Sequence, residues 1–145
     1  MTADSRGLRR LQMAAHEVGH LVGLRAGGIT VLRAQIHDGF FSGRHGITKV
    51  DPHQDLDDPD QQLAYLVGTM AGPEAERHWC DLNDRRYNER SGEDDFAEIT
   101  RWRRTHPECR PTDQQLVRAA HTLVLRKWDL IMRLTVKLAQ HGVIR

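Results

Sequence analysis

His16-Glu17-Val18-Gly19-His20 constrains this chain more than any other stretch. Two imidazoles four residues apart face one another only on a helix, where positions i and i+4 stack one turn apart. In an extended strand the same pair would stand about 13 Å apart. The flanking residues agree with a helix. Leu8, Leu11, Ala15, Val18 and Val22 recur at helical spacing, Asp4 or Ser5 is available to cap the start, and Gly27-Gly28 to end it. The two histidines border this apolar stripe, which predicts that they are half buried. Gly19 and Gly23 each cost such a helix up to about 1 kcal/mol relative to alanine. Two such costs point to another backbone in close approach, or to ordinary tight packing.

Two histidines so placed suit one Zn²⁺, and the glutamate beside the first is positioned to take a proton from water activated by that ion. A catalytic zinc takes three protein ligands. The extended pattern HExxHxxGxxH would supply a third histidine, and Gly23 fits it, but Ala26 stands where that histidine is required. The remaining candidates are Glu74, Glu76, His78, Glu93, Asp94 and Asp95. Ser91-Gly92-Glu93-Asp94 matches the Ser-x-x-acid capping pattern, which would turn Asp94 back to its helix start. Asp95, just before apolar Phe96, would then point to the body of the protein. Asp95 is the preferred third ligand and Asp94 the next. The competing reading is that these acids only complement a positive helix N-terminus.

The rest of the chain predicts a mainly α domain with a small antiparallel sheet (α+β). Residues 29–37 and 46–50 read as short strands, with turn residues Asp38-Gly39 and Ser42-Gly43 between them. Residues 51–60 form an acidic connector ending in Asp58-Pro59, a cap followed by a first-turn proline. Leu63, Leu66, Val67, Met70 and Ala71 give a helical stripe running into Gly72-Pro73, continued over 75–82. A helix over 95–106 packs Phe96, Ile99 and either Trp102 or Arg103, and one long amphipathic helix spans 111–142. The 145 residues are read as one domain, with a net charge of +1 that gives no electrostatic case for nucleic acid or acidic membranes. There is no apolar run of membrane-spanning length and no signal-peptide pattern. Cys80 and Cys109 make no CxxC, so a reduced, cytoplasmic protein is expected. His37, His53, His106 and His141 are read as solvent-facing.

Taken together these residues resemble the peptidase domain of the FtsH-type ATP-dependent zinc metalloproteases. That family carries HExxH on a helix and a distant Asp in a segment similar to Asp95-Phe96-Ala97-Glu98-Ile99-Thr100. Gly43-Arg44-His45-Gly46-Ile47-Thr48 is similar to its Gly-Arg-x-x-Gly-hydrophobic-Thr strand, one residue tighter. Ala71-Gly72-Pro73-Glu74-Ala75-Glu76 is similar to its Gly-Gly-Arg-x-Ala-Glu helix, with Ala71 and Pro73 as departures. The resemblance covers about residues 10–145. The family's ATPase motor and membrane anchor have no counterpart in these residues; a Walker-type loop is lacking.

The resemblance implies an ATP-independent zinc endopeptidase in which His16, His20 and Asp95 hold Zn²⁺ and Glu17 is the general base. The edge at Gly46-Ile47-Thr48 either aligns peptide or unfolded substrate by strand addition or is a plain structural strand. His45 is a lesser candidate for substrate contact. The alternative is a zinc-binding regulatory or interaction module without turnover. Expected partners are a peptide substrate and either further copies of the chain or a regulatory protein.

Overall fold

The computed structural model describes residues 2–37, 45–108 and 111–145. Asp38, Gly39, Ser42, Gly43, Arg44 and Cys109, with the side chain of His45, lie outside the described residues. The fold is mainly helical with a small antiparallel sheet, as the sequence predicts.

Helix α1 (Thr2–Ala26) carries the motif. It begins upstream of Asp4 and Ser5, which are therefore helical residues and not caps. No proline interrupts residues 2–7, so the helix propagates past the expected start. Helix α2 (Pro59–Leu82) lies along α1. Asp58 caps it by accepting the Asp60 N–H at 2.8 Å, and Pro59 occupies the first turn, where a missing N–H costs nothing. Pro73 sits inside this helix without ending it.

The close approach expected at Gly19 and Gly23 is present. A Cβ on Gly19 would meet the Ala71 carbonyl oxygen at 2.5 Å, and one on Gly23 the Ala71 Cβ at 2.6 Å. Gly68, Ala71, Gly72 and Ala75 provide the facing surface on α2. The two helix backbones thus meet along a seam of small residues. In the stripe predicted for α2, Leu66, Met70 and Ala71 are buried, but Leu63 is exposed.

Strands β1 (Val31–His37) and β2 (His45–Val50) pair antiparallel, and a short β3 (Val143–Ile144) pairs on the other side of β1. Among the described residues the order β2-β1-β3 leaves β2 at the sheet edge. A register irregularity between Val31 and Arg33 explains the loose alternation of β1. Burial shifts from odd positions (Ile29, Val31) to even ones (Ala34, Ile36), and Leu32 is left exposed.

Helix α3 (Glu93–Thr105) follows a 3-10 turn over Glu89–Gly92. Ile99 is buried and Trp102 partly buried in it, whereas Phe96 is exposed, contrary to its predicted packing. His106, just beyond, stacks on Trp102 at 4.0 Å and is half-buried, so it is not solvent-facing as predicted. The single C-terminal helix predicted over 111–142 is two helices, α4 (Asp113–Arg126) and α5 (Trp128–His141), broken at Lys127. Gly142, in the left-handed conformation at φ +79, ends α5 and turns the chain into β3. Leu21, Leu66, Met70, Ile99, Leu116, Ile131 and Leu138 form one fully buried core; each such side chain contributes about 1.5–3 kcal/mol by leaving water. Among the described residues, no helix is long and apolar enough to cross a membrane.

Candidate metal centre

The His pair faces α2 and the start of α3. His16 is fully buried, Glu17 and His20 nearly so, and Asp95 reaches them from the first turn of α3. His16 Nε2 lies 3.0 Å from Asp95 Oδ2, His20 Nε2 lies 3.1 Å from Asp95 Oδ1, and the two Nε2 atoms are 3.1 Å apart. Donor atoms around a tetrahedral zinc stand about 3.3 Å from one another, given bonds of about 2.0–2.1 Å. The triangle is close to that size. Among the described residues this is the one group of three metal-type ligands.

The far side of each ring fixes what its near side offers. His16 Nδ1 is 2.8 Å from Glu76 Oε1, and His20 Nδ1 is 3.2 Å from the Gly68 carbonyl oxygen. A carbonyl and an ionised carboxylate only accept, so each Nδ1–H must donate. That leaves both Nε2 lone pairs turned toward each other and toward a carboxylate. Three acceptor atoms converging on one point require a cation, or a proton taken up in its place. A carboxylate behind a ligating imidazole is the usual second support of such a site. The residues present therefore fit a zinc ion.

Without a metal, the proton substitutes. Burial alone would push His20 down, but the charge of Asp95, the hydrogen bond to it and the charge of Glu17 outweigh burial and raise it from 6.5 to about 9. Burial would raise Asp95, yet His20 and the hydrogen bonds from both rings hold it well below the usual carboxylate range. Glu76 is likewise held low: burial acts upward, and the hydrogen bonds from His16, Gln12 and Ser91 prevail.

Glu76 was a candidate third ligand by sequence, and here it stands behind His16. Its other oxygen accepts from Gln12 Nε2 at 2.7 Å and from Ser91 Oγ at 3.1 Å. Ser91 does not serve as the predicted cap. Gly92 occupies the N-cap of α3 with no side-chain cap bond, and the Ser91 hydroxyl goes to Glu76 instead. Asp94 is exposed, on the rim of the same cleft. Glu93 is exposed, Glu74 is buried on another face near Arg77 and His121, and His78 packs edge-on against Trp128.

Glu17 is clamped between α1 and the sheet. Thr48 Oγ1 lies 2.9 Å from Glu17 Oε1, to which it donates, and 3.0 Å from the Glu17 backbone oxygen. Gly46 lies over the carboxylate; a Cβ there would come within 2.5 Å of Oε2. A cleft of about 240 Å³ opens over the group, between the β2 edge at Gly46, Ile47 and Thr48 and the α2–α3 wall at Tyr65, Thr69 and Asp95. Sequence reasoning missed Gln12, Thr48 and Gly72 as supports. Gly72 leaves room for the His20 ring, which a Cβ would strike. Its one available signal was the Ala71-Gly72 pair itself. No family model matches the chain, and no curated protein matches it.

Proposed function

We propose that this chain is an ATP-independent zinc endopeptidase of the FtsH peptidase type, with His16, His20 and Asp95 as the metal ligands. One observation carries the reading: three buried or half-buried acceptor atoms converge at 3.0–3.1 Å, with the histidine tautomers set from behind. The ion, when bound, supplies Lewis acidity and acidifies water in the cleft. Glu17 takes the proton from the attacking water and returns it to the leaving amine. Thr48 and Gly46 hold that carboxylate in one position, so that its proton transfer has a fixed direction. Among the described residues β2 is an outer strand, and beside the cleft it offers backbone groups to an extended peptide.

Metal analysis of the purified protein, joined to cleavage of a peptide library by wild type and Glu17→Gln, tests the reading. The expected result is one zinc per chain in both, with turnover in the wild type only. Cleavage that persists in Glu17→Gln sinks the assigned base. Zinc bound without turnover of any peptide leaves only the non-proteolytic module.

A further inference from the structure

Thr48, Thr69 and Tyr65 bring hydroxyls to the lining of the cleft. The two threonines are committed. Thr48 holds Glu17, and Thr69 donates to the Tyr65 backbone oxygen at 2.8 Å, one turn back on its own helix. The Tyr65 hydroxyl donates to Glu98 Oε1 at 3.1 Å. Tyr65 also borders a second cavity of about 360 Å³, together with Trp102 and His106. Glu98 lines the first cleft and not the second, so the hydroxyl end of the ring is the one turned to the candidate metal centre. Asp95 and Glu98 are three residues apart on α3, neighbours about 5–6 Å apart at Cβ on one helix face. The hydroxyl therefore stands about one helical turn from the Asp95 ligand.

The ring is fixed and the hydroxyl is not. Tyr65 stacks on Trp102 at 4.5 Å, and Trp102 on His106 at 4.0 Å, which holds the phenol in one plane. Rotation about its C–O bond still turns the O–H from one acceptor to another. Glu98 keeps a partner when that happens, because its Oε2 pairs with Arg101. Burial and the charge of Glu98 both push the phenol up, so it stays protonated and able to donate.

We infer that the Tyr65 hydroxyl leaves Glu98 during the reaction and donates a hydrogen bond to the oxyanion formed on the scissile carbonyl. This rests on the peptidase reading. As the water oxygen bonds to the carbonyl carbon, the C=O π pair moves onto the carbonyl oxygen, and Glu17 holds the proton that the water gave up. The phenol keeps its own proton throughout. The oxyanion lone pair then re-forms the C=O bond, and the C–N pair leaves with the nitrogen, which Glu17 protonates. The Tyr65 bond is made only as charge develops, so it acts on kcat and not on substrate binding.

The test compares zinc-loaded wild type with Tyr65→Phe, which keeps the ring stack and removes only the hydroxyl. Cleavage of a library peptide is read as kcat and KM. Zinc affinity is read by chelator competition, and binding is measured for a phosphonamidate dipeptide, whose tetrahedral P–O⁻ matches the oxyanion. The expected result is kcat lower by at least about tenfold, toward the roughly 10²–10³-fold that one oxyanion donor contributes, with KM and zinc affinity within about twofold of wild type. Phosphonamidate binding should weaken in step with kcat. A kcat unchanged by Tyr65→Phe, or a loss carried by KM alone, overturns the inference and leaves the peptidase reading intact. So does a zinc affinity that falls with kcat, since the hydroxyl would then act by holding α3 and Asp95 in place. If the wild type cleaves no peptide, the peptidase reading falls. Phosphonamidate binding weakened by Tyr65→Phe at constant zinc affinity then still upholds the contact with a tetrahedral oxyanion. Binding equal in the two proteins, or absent from both, overturns it.

Discussion

Gly72→Ala separates helix stability from metal binding. In an ordinary helix interior the substitution would favour folding by about 1 kcal/mol, since glycine is the poorer helix former. Here the added Cβ would stand 2.7 Å from His20 Cδ2, and closer still to Cε1 and Nε2. Ordinary contact begins near 3.4 Å, so the ring must retreat by about 1 Å. Metal–ligand distances tolerate only about 0.2 Å. The ring has little room to retreat, because its Nδ1 is tied to the Gly68 carbonyl and its other edge meets His16 and Asp95. His20 is therefore lost as a ligand or held at a poor distance. Zinc affinity, measured by competition against a chromogenic chelator, should fall at least 10–100-fold, the range seen when even a supporting residue is lost. The thermal midpoint of the metal-free protein should fall far less than that of the zinc-loaded protein. Zinc affinity equal to wild type would refute the argument.

Gly46→Ala should displace the Glu17 carboxylate and lower kcat at least about 100-fold, the usual contribution of a general base, while zinc content measured by atomic absorption stays at one per chain. Glu76→Ala should weaken zinc binding about 10–100-fold. By leaving buried donors from His16 and Gln12 unpaired, it should also cost about 1–3 kcal/mol in urea unfolding of the metal-free form. For pH, the folded metal-free protein keeps a proton on His20 that the unfolded chain releases. That stabilisation is complete below pH 6.5 and is lost as pH rises through about 9. The depressed Asp95 acts in the opposite direction, stabilising above the ordinary carboxylate pKa and losing this as acid protonates it. The urea midpoint in chelator should therefore decline from pH 6.5 to 9; a flat profile across that window would contradict the His20–Asp95 pairing.

Much of the His16–His20–Asp95 cluster was legible in the sequence because its signals are local. The i, i+4 spacing of His16 and His20 needs only one turn of helix, and Gly19 and Gly23 announce close packing through their propensity cost. What was missed depends on contacts distant in sequence. Ser91 reads as a cap from its own neighbours, yet Glu76, arriving from α2, takes its hydroxyl. The break at Lys127 is invisible because Val124 and Ile131 are seven residues apart, two helical turns, so the apolar stripe stays in phase across it. The two-residue β3 has no periodicity to read; it is a strand only because α5 delivers it beside Ala34 and Gln35. Leu32 is exposed because the register irregularity beside it breaks the strand's alternation.

The seam between α1 and α2 has a consequence for how such centres are recognised. Where Gly19 and Gly23 meet Gly68, Ala71 and Ala75, one methyl group too many would wedge the helices apart. The Gly68 carbonyl and Glu76 would then withdraw from the rings they orient, and α3, which supplies Asp95, packs on the same α2. A chain can thus keep its HExxH pentapeptide and lose its centre through substitutions that touch no ligand. The diagnostic pattern is bipartite: a histidine pair on one helix, and on another a run of residues with almost no side chain at all.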